Sequence, residues 1–209
     1  MISPHPDDDA IGCGGTLRKH IVEGDIVRTV FLTSGEKGGH THPPEETGPL
    51  REKEARSASK ILGINHIEFW RQPDGALSAT HQLVDRLSRT VNSWQPDMLY
   101  VTHNREMNPD HRAAARIVQR VLSRSDTFIV KPVVRMFEVW TPLQRMDDIV
   151  DISRYIQVKM AAIRAHKSQC EVMRFDEASL ALSRYRGELH SWSGGTHYSY
   201  SEIFLRMRT

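Results

Sequence analysis

The first chemically loaded stretch of the chain is His5-Pro6-Asp7-Asp8-Asp9. Pro6 fixes one backbone angle and biases His5 towards an extended conformation. In extended backbone, neighbouring side chains point to opposite sides, so Asp7 and Asp8 can do different jobs. A nitrogen donor beside a carboxylate suits zinc or another late divalent ion. Mg²⁺ and Ca²⁺ prefer oxygen throughout. Two protein ligands are too few, and a further histidine stands at a later helix start in Asn108-Pro109-Asp110-His111. His, Asp and His leave one coordination position for water, the pattern of a catalytic zinc site. The competing reading is helix capping, since a carboxylate at a helix N-terminus stabilises it by roughly 0.3–1 kcal/mol. On that reading Asp110 only caps its helix and His111 is a surface residue. Three adjacent aspartates repel one another, however, and a cation among them relieves the repulsion.

Other candidate chemistry is weaker. Gly12-Cys13-Gly14-Gly15 fits neither G-x-G-x-x-G nor the P-loop, and the nearby aspartates would repel phosphate. The glycines read instead as close helix–sheet packing. Cys13 has no histidine or asparagine at a spacing that would make it a nucleophile. His40 and His42 lie in GGHTHPPEETG, a polar, proline-containing segment read as an irregular flap at a pocket mouth rather than a second metal site.

These segments need a scaffold, and the hydrophobic pattern supplies one. IVRTVFL (26–32), MLYVT (98–102), VVRMFEVW (133–140) and HIEFW (66–70) read as strands. Helices are expected over 10–23, 50–62, 79–94 and 111–122. A further helix carries Ile152, Ile156 and Ile163 behind an Asp151 cap, and another carries Ala178, Leu182, Tyr185 and Leu189. The alternation predicts one α/β domain over residues 1–209, with a Rossmann-like, mostly parallel sheet covered by helices on both faces. Ligands of such sheets bind beyond the carboxyl ends of the strands. Residues 5–9, 33–36 and 103–111 all fall there. Only Met1-Ile2-Ser3 precede the first motif, so the first strand is either a stub or begins further upstream.

The chain has 209 residues, with 28 basic against 26 acidic and a net charge of +2. That balance argues against nucleic acid or a membrane surface as partner. No apolar run approaches the roughly 20 residues that span a bilayer, and the start MISPHPDDDA lacks the features of a secretory signal. Two cysteines, Cys13 and Cys170, form no disulfide framework. A reducing, cytoplasmic setting is the default expectation.

SPHPDDDAIGCGGTL resembles the signature of the LmbE/PIG-L family of zinc-dependent N-deacetylases, and NPDHRAAA resembles its second motif, usually HPDH. LTSGEKGG, REKEARSASKILG, QPDGALS, KMAAIRAHKSQ and YSEIF extend the similarity in order along nearly the whole chain. The resemblance implies His5, Asp8 and His111 as zinc ligands and Asp7 as general base. It places Arg51 and Asp74 on the substrate pocket and matches Glu36 to a Gly-Glu loop. It implies as substrate an N-acetylglucosamine-type sugar carried on a larger group, such as a specialised metabolite or thiol glycoside, with Zn²⁺ (or Fe²⁺) as cofactor, and it is compatible with homo-oligomeric assembly, since many relatives assemble. Where the family has the first histidine of HPDH, paired with the aspartate at Asp110 and assisting proton transfer or stabilising the oxyanion, this chain has Asn108. Asparagine can donate a hydrogen bond to an oxyanion but cannot shuttle a proton. His103, His190 and His197 are the candidate substitutes, His197 foremost because the Gly194-Gly195 loop could swing it inward. A hydratase of a small unsaturated dicarboxylate and a non-catalytic metal-binding relative are the alternatives on the same fold.

Overall fold

Strands and helices alternate from the first residues. In the computed structural model, which describes residues 1–39, 42–124, 128–192, 194 and 196–208, β1 (Ile2–Ser3) leads to α1 (Asp8–Glu23), β2 (Arg28–Thr33), α2 (Pro44–Leu62) and β3 (His66–Gln72). Then follow α3 (His81–Trp94), β4 (Met98–Thr102), α4 (Pro109–Leu122), β5 (Val133–Phe137), β6 (Asp148–Asp151), α5 (Ile156–Arg164), α6 (Lys167–Cys170), α7 (Phe175–Trp192) and β7 (Ser201–Arg206). β1, β2 and β3 are parallel, with Ile2 opposite Val30 and Ser3 opposite Phe31. β4 and β5 are parallel, and β7 runs antiparallel between β5 and β6. β1 also lies beside β4, so strand order reverses between them, where open α/β sheets form their ligand crevice.

Both sheet faces are covered, as the unbroken apolar strands require. On one, Leu83, Leu87 and Val91 of α3 and Ile117, Val118 and Val121 of α4 pack on Val30, Leu32, Leu99 and Val101. On the other, Leu17, Ala58, Leu62, Met160 and Ile163 surround Phe137 and Phe204. α1 meets the sheet closely: a Cβ added at Gly15 would stand 2.7 Å from Ile152. α1 also breaks at Cys13 (φ −145°, ψ 21°). Beyond the break, the amides of Gly15 and Thr16 donate to the Glu202 carboxylate at 3.0 and 2.7 Å, and Lys159 Nζ pairs with the same carboxylate at 2.7 Å.

Several expectations shift. β5 ends at Phe137 rather than 140. Asp151 does not cap a helix: its Oδ1 holds the Ser153 amide at 2.9 Å, and α5 starts only at Ile156. The segment read as irregular up to residue 49 already belongs to α2 from Pro44. Pro suits a first helical position, and Glu45 and Glu46 favour the positive helix end, so the helix runs on through Gly48 and Pro49. His42 pairs with Glu46 at 3.3 Å on the surface, while His40 and Gly195 lie outside the described residues.

Candidate active site

The turn after β1 is built by its own polar groups. Ser3 Oγ donates to the His5 carbonyl and the His5 amide donates to Asp8 Oδ2, both at 2.9 Å. This tight reversal forces Asp7 to φ 121°, a region that costs a non-glycine residue about 1–3 kcal/mol. Arg51 of α2 clamps the turn, donating to the Gly35 and Pro6 carbonyls at 2.8 Å and to Asp7 Oδ2 at 3.1 Å.

Across the sheet, Asn108 caps α4, its Oδ1 accepting from the Asp110 amide at 2.8 Å. The cap sets His111 in the first turn, fully buried and facing the β1 turn. His5 Nδ1 is 3.2 Å from His111 Nε2 and 3.1 Å from Asp8 Oδ2, and His111 Nε2 is 3.2 Å from Asp8 Oδ1. Three donors around a tetrahedral zinc at bond lengths of about 2.0–2.1 Å lie about 3.3 Å apart. The donor set therefore fits such an ion in both chemistry and spacing. Two imidazole nitrogens facing each other cannot both be satisfied without a proton or a cation between them.

Two more carboxylates face the other side of His5. Its Nε2 lies 3.2 Å from Asp110 Oδ2 and 3.1 Å from Asp74 Oδ1. These three residues also form a cluster with metal-ligand character. The carboxylates, however, are largely committed: Asp110 accepts from the Gly75 and Leu77 amides, and Asp74 from Lys37. They act on His5 by fixing its ring, with Nε2 protonated and Nδ1 turned to Asp8 and His111. Asp110, expected to partner residue 108 in proton transfer, thus sends its carboxylate to His5 instead. Glu36 turns to the Asp74 amide at 2.8 Å, holding the turn that carries Asp74. A third cluster, His20, Glu23 and Asp25, sits at the surface, and His20 is already bonded to Asp25 and Tyr100.

The electrostatics follow from this crowding. Burial lifts Asp7 to about 6, with Arg51 pulling the other way. Burial also pushes Asp8 up, but facing His111 and His5 more than offset it and hold its carboxyl low. For His5, burial disfavours the charged ring, yet Asp110, Asp74 and Asp8 outweigh it and raise its pKa.

Glu106 escaped the sequence reading. It is 1% exposed and accepts from the amides of Val139, Trp140 and Thr141 at 2.7, 3.0 and 3.1 Å. Its Oε2 is 3.8 Å from His111 Nδ1, a buried nitrogen without a hydrogen-bond partner. Only its position in the loop between β4 and α4 signalled it. The histidines expected to replace the missing one do not reach the site. His103 bonds the Thr141 carbonyl and the Arg105 amide through its two nitrogens, His190 stacks on Tyr198, and His197 is exposed.

His5, Asp7, Asp8, Arg51, Asp74 and Asn108 line one cavity of about 440 Å³, joined by Lys37, Gln169 and a set of apolar side chains. With Asn108 Oδ1 engaged by the Asp110 amide, its NH₂ is the group left for a ligand.

Residues 1–122 match the sequence model of a family described as PIG-L, GlcNAc-PI de-N-acetylase. The diacetylchitobiose deacetylase of Thermococcus kodakarensis is 31% identical over 183 residues, covering 80% of this chain and 68% of that protein. A probable N-acetyl-alpha-D-glucosaminyl L-malate deacetylase 2 of Bacillus cereus is 28% identical over 84% of this chain and 85% of its own. The solved 4-carboxy-2-hydroxymuconate hydratase of Pseudomonas putida KT2440 superposes with a TM-score of 0.89 at 23% identity, covering all of this chain and 95% of that one. At that identity the likeness is one of fold.

Proposed function

The chain belongs to the PIG-L family of de-N-acetylases, and on that premise we propose that it is a zinc-dependent N-deacetylase releasing acetate and a free amine from an N-acetylglucosamine-type sugar. The observation that carries the reading is the meeting of His5 Nδ1, His111 Nε2 and the Asp8 carboxylate within about hydrogen-bond distance of one another, next to a separate carboxylate, Asp7.

His5, Asp8 and His111 would hold the ion. Zinc supplies there an acidified water and a Lewis acid for the amide carbonyl. The remaining work falls to the chain. Asp7, fixed by Arg51 through one oxygen, takes the proton of the attacking water and returns it to the departing nitrogen as the C–N bond breaks. The Asn108 NH₂ donates to the carbonyl oxygen as negative charge develops on it. In this reading Asn108 keeps the electrostatic half of the family histidine's task and Asp7 carries all proton traffic. Glu106 and Asp110 orient the two histidines. Fe²⁺ accepts the same donor set, so reconstitution with each metal decides the identity.

A small dicarboxylate, the substrate of the hydratase alternative, needs cations in the pocket. Arg51 is spent on Gly35, Pro6 and Asp7, which leaves Lys37. The two unpaired cysteines, Cys13 and Cys170, fit a reducing, cytoplasmic setting. Among the described residues no helix is long and apolar enough to cross a membrane.

Amine release from N-acetylglucosaminides by zinc-loaded protein tests the proposal. Wild type is expected to turn over and Asp7→Asn to lose about 10²–10⁴ in kcat while keeping its zinc. Turnover by Asn108→His alone would reject the assignment for the native chain.

A further inference from the structure

The cavity over the site has two unlike walls. Its floor holds His5, Asp7, Asp8, Arg51 and Asp74. Its apolar lining comes from Ile11 of α1, Val139 and Trp140 after β5, Val172 and Met173 between α6 and α7, and Phe175 at the start of α7. Trp140 is 40%, Val172 50% and Met173 42% exposed, a concentration of apolar surface unusual for side chains that water reaches. The wall is also braced. Trp140 packs edge-on against Phe175 with ring centroids 5.4 Å apart, and its backbone amide is pinned by Glu106 at 3.0 Å. A rigid aromatic face at the mouth of a polar pocket is a receptor for a flat or apolar group, and its position next to the floor ties it to whatever the floor holds.

We infer that the natural substrate carries an apolar, ring-containing aglycone on its N-acetylated sugar, and that Trp140, Met173 and Val172 bind this aglycone. The inference rests on the deacetylase reading and refines it. With the acetamido group at His5, His111 and Asp8, the sugar spans the cavity, and the substituent at its far end meets the Trp140–Phe175 wall. The bond broken is still the acetyl C–N bond. Among the described residues, Lys37 is the cation lining the cavity that forms no ion pair, and its backbone amide donates to Asp74 on the floor. An anionic aglycone would therefore meet apolar surface on the wall, at a desolvation cost with no compensating charge.

The test compares the methyl, 4-nitrophenyl and carboxymethyl glycosides of N-acetylglucosamine as substrates for zinc-loaded enzyme. The 4-nitrophenyl glycoside is expected to show a KM about tenfold or more below that of the methyl glycoside, and Trp140→Ala to collapse that ratio towards one. Equal KM values for methyl and 4-nitrophenyl, or a preference for carboxymethyl, overturn the inference. If no glycoside releases amine, the deacetylase reading fails, and the wall is judged separately by titrating the same three glycosides into zinc-loaded Asp7→Asn and reading their Kd values. The same order of affinity supports the apolar wall, and indifference rejects it. A wild-type assembly that dissociates in Trp140→Ala during sedimentation, with no change in the KM ratio, assigns the wall to self-association and also overturns the proposal.

Discussion

Two regions of this molecule bury charge, and they solve the problem in opposite ways. At the kink of α1, Lys159 and Glu202 are both almost inaccessible. Glu202 takes the lysine at 2.7 Å and the amides of Gly15 and Thr16 at 3.0 and 2.7 Å, so the arrangement closes on itself. At the β1–β4 crevice, the carboxylates of Asp7, Asp8, Asp74 and Asp110 crowd around one guanidinium and two imidazoles, and two ring nitrogens confront each other. The first region is complete as protein. The second has an excess of acceptors that a divalent cation would balance. Buried charge alone therefore does not mark a site. Buried charge that its own surroundings leave unbalanced does.

Removing a ligand breaks the contrast most sharply. His111→Ala is expected to weaken zinc binding by at least about a thousandfold, read by chelator competition, with the thermal melt of the metal-free protein little changed. Lys159→Met does the reverse. It strands Glu202 and is expected to cost about 3–5 kcal/mol of stability by denaturant unfolding, while the folded fraction binds zinc with unchanged affinity. Coupling of the two effects would mean the regions are not independent. Glu106→Gln sharpens the comparison within the site. If the carboxylate steadies His111, zinc affinity falls about 10–100-fold; glutamine's one acceptor oxygen keeps the Val139 and Trp140 amides that share Oε1, while its NH₂ cannot accept from Thr141.

A further prediction concerns a third way of burying a polar group, by leaving it neutral. His166 has no hydrogen-bond partner on either ring nitrogen, and burial, aided by Arg51, pushes it down to about 3. An unfolded histidine titrates near 6.5, so between there and about 3 only the unfolded chain takes up this proton, and stability falls as pH drops, by at most about 1.4 kcal/mol per pH unit. Asp9, raised to about 7 by burial, contributes with the opposite sign. The measurement is therefore the difference in unfolding free energy between wild type and His166→Leu from pH 7 to 4. A flat difference would show that the ring is solvated or paired.

What could be read from the chain in advance follows the same division. The meeting of His5, Asp8 and His111 was legible because His5 and Asp8 sit in one turn and His111 opens a helix, so local spacing carries the signal. The helices facing the sheet were legible through apolar periodicity, as at Leu83, Leu87 and Val91. β6 and β7 were not: DIVD and SEIFLR are two- and three-residue apolar runs bracketed by charged residues, too short for a periodic signal, and β7 is held as a strand by antiparallel pairing with β5 on one side and β6 on the other. The start of α2 hid behind Pro44, Gly48 and Pro49. Glu106 and the apolar wall depend on segments far apart in the chain meeting at one loop, which no local pattern encodes. The contact of Asp110 with His5, a partner 105 residues away, was hidden for the same reason.

The reversal at Asp7 carries a consequence for how this protein can change. A carboxylate there is held at φ 121°, a conformation glycine enters at little cost. Asp7→Gly would relieve that strain, about 1–3 kcal/mol, yet it would also leave buried Arg51 without its paired carboxylate, a loss of about 3–5 kcal/mol. The strained carboxylate and its clamp are therefore tied together: a chain that sheds Asp7 must change Arg51 as well, and no single step towards a sturdier fold removes it.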